Sequence, residues 1–397
     1  MPIKNDRNSE PHNQAVNKAC KYYFDFLCAC ETKNGDFRLT KNSDSTPFSL
    51  CFAIFGYHLL KHDKILTERA DFLEQKLRSN LSIYKTKRES TSELVYDKPF
   101  LQLLTFTLSA LQILGRLEED PVEALISTLT PRDIASELQQ IGALNGACQS
   151  GNMAMFKAIL LIHGRDYLAI DTQSQIDTWV ELHLKSMNRF GFWGKGRRIT
   201  HSHFQNGYHQ YEIFNYLGVS NPLENTAGDH ILSLADTEGH FAPYPGGSGC
   251  YDYDAVSILT GPNQKMDIDR RKVLFQTQES LIKEQNYDGG FAESHKIRPR
   301  SFQNIMAGLR HIRTSNPQVC KERIRFNLTL LHPKHDRIHT HWCNYQPKWN
   351  ESDLWNSWFR MLTIARIQTA FDPDTIENWG FINYPGIGFH SSLRYSG

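Results

Sequence analysis

The sequence predicts an all-α fold, an α/α toroid of six or seven helical hairpins with an inner and an outer ring of helices. Three observations carry this. Gly-x-aromatic steps recur at near-constant spacing, helical apolar patterning flanks each step, and strand-type alternation is scarce. The steps are Gly35-Asp36-Phe37, Gly191-Phe192-Trp193, Gly239-His240-Phe241 and Gly289-Gly290-Phe291. The last three are 48 and 50 residues apart, and the first gap of 156 is three steps of 52.

Taken in order, KACKYYFDFLCAC opens the first unit and PFSLCFAIFGYHLL closes it. KPFLQLLTFTLSALQILG, near Pro99, and GNMAMFKAILLIHG, from Gly151, fill the long gap as two degenerate units. HQYEIFNYLG and YDAVSIL are the second helices of the next two units. VLFQTQESLIKEQ leads into Gly289, with SFQNIMAGLRHI expected as its second helix. A last step near His339 leads through a polar loop to LWNSWFRMLTIARI. The glycine suits a helix exit, where a left-handed backbone is needed, and the aromatic packs the turn on the next unit. Second helices as apolar as LQLLTFTLSALQIL and MAMFKAILLI fit a buried inner ring better than an open solenoid. The loops and the starts of the inner helices then rim one cavity. Residues 1–14 are expected to be a flexible N-terminus. Residues 15–397 are expected to form a single toroid domain, whose aromatic and glycine-rich segment 377–397 either folds over the ring or is a plain terminal loop. Lys85–Asp97 reads as a polar loop.

Composition narrows the function. With 40% hydrophobic residues and a formal net charge of +1, the chain can build a large core. No global field draws it to nucleic acid. No apolar run reaches the roughly 18 residues that span a bilayer, and MPIKNDRNSEPHNQ lacks the apolar stretch of a secretory signal. Eight cysteines without a CxxC pair fit free thiols in a reducing, cytoplasmic setting. The expected partner is a small-molecule substrate, with room left for a homo-oligomer.

Gln285-Asn-Tyr-Asp288-Gly289-Gly290-Phe291 resembles the QxxDGG-aromatic repeat of the terpene cyclase and protein prenyltransferase superfamily, and Gly239-His-Phe-Ala-Pro-Tyr-Pro-Gly-Gly is similar to its glycine-proline loops. The resemblance implies an α/α toroid, isoprenoid-type substrates and cyclase or isomerase chemistry. Class II cyclases carry an acidic DxDD motif whose middle acid protonates the substrate. Here Asp252-Tyr253-Asp254-Ala255 supplies DxD without the last acid. The zinc ligands of the prenyltransferases are not matched, because Cys250-Tyr251-Asp252 runs in the reverse order; no metal and no cofactor is therefore expected.

Four clusters are candidates for chemistry. Asp252 and Asp254 start an inner helix, where they could simply cap it, or could act as an acid–base pair whose mutual repulsion raises one pKa. Asp254, assisted by Asp252, is the expected acid. In His201-Ser-His203-Phe-Gln-Asn206-Gly-Tyr208-His209-Gln-Tyr-Glu212, His209 and Glu212 are one helical turn apart. A His209–Glu212 hydrogen bond would orient the imidazole as a base or clamp. His201, His203, Asn206 and Tyr208 are expected to bind substrate beside it. Glu293, His295 and Arg300 follow the DGGF turn and are expected to bind substrate; Arg298 and Arg300 read as an anion clamp for a carboxylate or phosphate, or the segment is simply a solvated charged loop. Trp193, Tyr244, Tyr251 and Trp355 offer ring faces, and Asp353, Asn356 and Arg360 form a polar stripe on the last inner helix. The expected function is proton-transfer chemistry in the central cavity of a cyclase-like enzyme. A carbohydrate-active lyase, hydrolase or epimerase and a non-catalytic binding toroid are the alternatives.

Overall fold

The computed structural model describes residues 9–86, 94–117, 123–196 and 200–394. Regular structure among the described residues is helical, with β pairing confined to four isolated bridges. The first hairpin is α1 (Ser9–Cys30) and α2 (Pro47–Leu59). The second is α3 (Asp63–Glu68) and α4 (Ala70–Thr86), returning through α5 (Lys98–Ile113). Next come α6 (Glu123–Leu129) and α7 (Ile134–Gln140) with α8 (Ser150–Tyr167), then α9 (Gln173–Ser186) with α10 (His201–Leu217). The fifth is α11 (Glu224–Leu232) with α12 (Gly249–Leu259). The sixth pairs α13 (Ile268–Lys283) with α16 (Leu354–Phe371), and an inserted hairpin, α14 (Phe302–Ile312) and α15 (Pro317–Leu330), lies between them.

Contacts between helices close a ring. α2 packs on α5, α5 on α8, α8 on α10, α10 on α12, α12 on α16, and α16 returns to α2. These six helices are buried along almost their whole length, as their apolar sequences require. Five of them are backed by an outer helix: α1 on α2, α4 on α5, α9 on α8, α11 on α12 and α13 on α16. Their starts are well specified. Thr46, Asp97 and Asp353 accept the backbone N–H of Ser49, Phe100 and Asn356 at the heads of α2, α5 and α16. Pro47 and Pro99 occupy the first turn, where a missing N–H costs nothing.

The four Gly-x-aromatic steps share one turn. Gly35, Gly191, Gly239 and Gly289 have φ of 75°, 81°, 83° and 90°. In each, the glycine N–H donates to the carbonyl three residues earlier (Thr32, Asn188, Asp236, Asn286). That earlier residue donates its own N–H to the residue after the glycine. The Gly289 copy seals the ring. A Cβ there would lie 1.9 Å from the Tyr22 carbonyl oxygen, so only glycine lets α13 meet α1. Gln285 completes the seam by donating to the carbonyls of Ala19 and Gly289.

The opposite end of the ring is closed by residues 379–390. Gly380 N–H donates to Leu59 O, His58 contacts Phe381 O, and His163 pairs with Tyr384 at 2.9 Å. Arg366 donates to Phe389 O, and Gly388 N–H donates to the Tyr253 hydroxyl from inside the ring.

Three expectations change. SFQNIMAGLRHI is not an inner helix: it is α14, whose large apolar residues Phe302, Ile305 and Leu309 are exposed, so the ring has six inner helices. Residues 9–14 belong to α1 rather than to a flexible terminus, and residues 1–8 lie outside the described residues. Residues 87–93 of the expected polar loop also lie outside them.

Candidate active site

Because the hairpins alternate direction, all six inner helices run the same way and their N-termini share one end of the ring. Tyr208, His209 and Glu212 lie on α10, and Asp252 and Asp254 lie on its neighbour α12. Four polar atoms on these residues are buried without a hydrogen-bond partner: Asp254 Oδ1, the Tyr208 hydroxyl, His209 Nδ1 and Glu212 Oε2. Buried polar groups are normally paired, and here four unpaired atoms fall on two adjacent inner helices and include a carboxyl oxygen of each of two acids.

Asp254 is 2% exposed. Burial pushes its carboxyl well above the usual carboxylate range, and the nearby negative charges of Glu212 and Asp252 add to the effect. Its surroundings therefore favour the protonated form. His209 is held down at about 3, first by burial and then by the Lys98 ammonium, so its imidazole is uncharged. Burial also pushes the Tyr208 phenol far up, with Asp254 and Glu212 contributing. The Cys250 thiol, near the same carboxylates, is likewise kept protonated by burial first and Asp254 second.

Behind this acid runs a rigid charged frame. Asp252 accepts from His240 Nδ1 at 2.8 Å and from the Phe241 N–H at 2.8 Å. His240 Nε2 reaches Glu284 at 3.2 Å, and Arg360 Nη1 donates to Glu284 at 2.9 Å. Burial alone would lower the His240 pKa, but Glu284 and Asp252 outweigh it and hold the imidazolium. Arg360 continues to the carbonyls of Gly246 and Glu293, tying three loops to α16. Below Asp254, Glu212 Oε1 accepts from Ser257 at 2.7 Å and Tyr253 at 3.1 Å, and its Oε2 lies 3.7 Å from Arg366.

An aromatic series runs from one side of the ring interior to the acid. Trp342 meets Trp355 with ring centroids 4.1 Å apart, and Trp355 meets Phe52 at 5.0 Å and Phe359 at 4.2 Å. Phe359 then meets Tyr253 at 5.1 Å, and Tyr253 meets Tyr208 at 6.3 Å. These rings come from four inner helices and the loop before α16. At the same end, Tyr244 donates to Glu293 at 2.5 Å and packs edge-on to Tyr251, and His341 meets Gln102 at 2.7 Å.

The sequence-predicted residues thus divide. Asp254, Tyr208 and His209 come together, with Tyr244, Tyr251, Glu293 and Trp355 on the surrounding wall. The expected His209–Glu212 pair does not form, because Glu212 is engaged by Ser257, Tyr253 and Arg366. Asp252 is bound to His240 and acts on Asp254 only through its charge. Arg360 and its stripe partners are cross-links rather than free binding groups, since Asp353 caps α16 and holds Asn356. Trp193 is a core residue whose indole donates to His183 O. His201 bonds Phe241 O, His203 bridges Thr200 and Lys195 O, and Asn206 accepts from Gln149 N–H and donates to Ser202 O. His295 turns to Glu284 O. Arg300 is half-exposed on the α14–α15 insertion, donating to Leu331 O and 3.9 Å from Asp336, so it is no part of this constellation. Sequence reasoning passed over Lys98, Phe52 and the role of His240. Only His240 carried a signal, as the residue inside a repeat turn.

Fold and site together define a helical toroid with a protonated carboxyl buried inside its ring. No protein-family model matches the chain, and no curated protein matches it in sequence. Among solved structures, it is similar to a substrate complex of the type II terpene cyclase MstE from Scytonema, at 12% identity and a TM-score of 0.49, covering 91% of this chain and 99% of that one. The substrate in that complex is geranylgeranyl dihydroxybenzoate. The apo form of MstE gives 13% identity and a TM-score of 0.46 over 90% and 98% of the two chains. A protein from Actinoplanes gives 8% and 0.44 over 90% and 99%.

Proposed function

We propose that this chain is a cyclase-like enzyme that starts its reaction by protonating a carbon–carbon double bond of an isoprenoid-type substrate. The observation that carries the reading is Asp254: a buried, neutral carboxyl with a free oxygen, reached by a series of aromatic rings. Protonating an alkene needs an acid that still holds its proton at neutral pH and a site from which water is excluded; burial favours both for Asp254. The π pair forms the new C–H bond and leaves a cation on the adjacent carbon. The faces of Tyr253, Phe359 and Trp355 stabilise that cation as it moves along the chain. The sequence ends when a neighbouring C–H gives up its proton. His209 is the group we assign to receive it. A pKa of about 3 is no obstacle, because a carbocation is a far stronger acid. The proton count balances, so the net reaction is cyclisation or isomerisation.

A carbohydrate reaction would need two available carboxyls. Asp252, Glu212 and Glu293 are each bound to a named partner, which favours the hydrocarbon reading.

Incubation with linear polyprenyl alcohols and their aryl conjugates in D2O tests the proposal. Cyclised product should carry one deuterium at the former vinylic CH of the terminal isoprene unit, and Asp254→Asn should lower turnover by about 10³-fold with its circular dichroism unchanged. Turnover retained in Asp254→Asn would remove this acid from the mechanism.

A further inference from the structure

We infer that the inserted α14–α15 hairpin is a docking surface for an anionic phospholipid bilayer. The hairpin is fixed in place. Glu322 on α15 accepts the His201 and Ser202 N–H groups at 2.8 and 3.2 Å, capping α10, and buried Arg323 donates to the carbonyls of His311 and Leu234. It therefore sits at the end of the ring where the inner helices begin. Its outer face is apolar and uncovered. Phe302, Ile305 and Leu309 are 77%, 59% and 55% exposed along one stripe of α14, and Leu328 and Leu331 are 63% and 55% exposed on α15. A groove of about 270 Å³ runs between them.

Charge names the occupant. Residues 296–340 hold ten lysines and arginines against two carboxylates, while the whole chain carries a net charge of only +1. Arg310, Arg313, Lys321, Arg325 and Lys334 are exposed around the apolar stripe. A second copy of this chain would bring the same positive charge to the contact and be repelled. A helix with Phe, Ile and Leu on one face and arginines beside it is suited to lie in the headgroup plane, its apolar face in the acyl boundary and its cations on anionic lipid. No helix among the described residues is long and apolar enough to cross a membrane, so the contact is peripheral. This inference stands independently of the reaction assigned to Asp254.

The test is co-sedimentation of the full chain with vesicles of phosphatidylcholine alone or mixed with phosphatidylserine. The protein should pellet with the mixed vesicles, stay in solution with phosphatidylcholine alone, and be released by about 1 M salt, where screening shrinks to a few ångströms. Arg310→Gln and Arg313→Gln should each weaken partition about fivefold. Ile305→Asp with Leu309→Asp should abolish it. These exposed changes leave the fold intact, as circular dichroism would verify, and leave turnover of detergent-dispersed substrate unchanged. Failure of the unmodified chain to bind mixed vesicles would overturn the inference, as would equal binding by the Ile305→Asp/Leu309→Asp variant. So would a dimer, or capture of an acidic peptide, that these variants abolish in a chain that ignores vesicles.

Discussion

A buried group without a hydrogen-bond partner has already been charged its desolvation cost, so removing it separates function from stability. Tyr208 is such a group. Tyr208→Phe loses no hydrogen bond of good geometry, only a contact that favours the ionised form of Asp254, and should change stability by less than about 1 kcal/mol, read as a nearly unchanged midpoint in urea. If the phenol lies beside the transferring proton, as proposed, turnover falls while stability does not. The reverse asymmetry holds for the frame. His240 contacts both Asp252 and Glu284, and His240→Ala removes the imidazolium from between them. Asp252 alone is then left without a cation, since Glu284 keeps Arg360, and the change should cost about 3 kcal/mol, measured by denaturant unfolding. A His240→Ala chain of unchanged stability would mean that the frame does not hold the loops.

At the level of the element, the repeat turn is the unit that builds the ring. Gly289 is its most demanding copy, with φ of 90° and the Tyr22 backbone against its α-carbon. Gly289→Ala must both strain the backbone and push α13 from α1, which should cost more than about 2 kcal/mol. Gly115 offers the contrast: its φ is 66°, but a Cβ there meets nothing within 4 Å, so Gly115→Ala should cost only the left-handed strain, about 1 kcal/mol. Comparing the two unfolding midpoints isolates the seam. The same turn explains what the sequence could disclose. A positive-φ glycine followed by a core aromatic is written into the local sequence, so the hairpins and their spacing were readable. The stripe of α14 misled for an equally physical reason. Phe302, Ile305 and Leu309 have helical spacing whether that face meets protein or something else, and periodicity does not name the partner. At the site, Asp254 was legible because its raised pKa comes first from the burial of its helix and in part from Asp252 in its own segment; the contribution of Glu212, on α10, was not local. The Tyr253 and Arg366 partners of Glu212, the Glu284 partner of His240 and the Gly246 partner of Arg360 come from 41 to 154 residues away, and no local pattern encodes such pairings.

For the molecule as a whole, closure of the ring decides how it responds to pH. Six imidazoles, four of them buried, are held uncharged: His163, His183 and His341 at about 4, and His201, His209 and His390 at about 3. Burial is the first cause in each. In the unfolded chain they take up protons near pH 6.5. Their contribution is complete above that value and is lost as pH falls toward 4, because only the unfolded state binds the protons. The buried acids act in the opposite sense. Asp353 is pushed up to about 7 by burial, and Asp254 lies well above its usual range, so the unfolded chain ionises them first. Their contribution is present below about pH 4 and declines as pH rises through 7. Between pH 4 and 6.5 the six imidazoles outnumber these acids, and above 6.5 only the acids and the His240 imidazolium still titrate. The thermal midpoint should therefore peak near pH 6.5 and fall on both sides. The limbs have separate owners. Asp254→Asn should flatten the alkaline limb and steepen the acid limb, where the acid had opposed the imidazoles, whereas His183→Gln should flatten the acid limb alone. A series of melting curves from pH 4 to 9 decides this, and a midpoint that rises steadily from 6.5 to 9 would show that Asp254 is already ionised inside the ring.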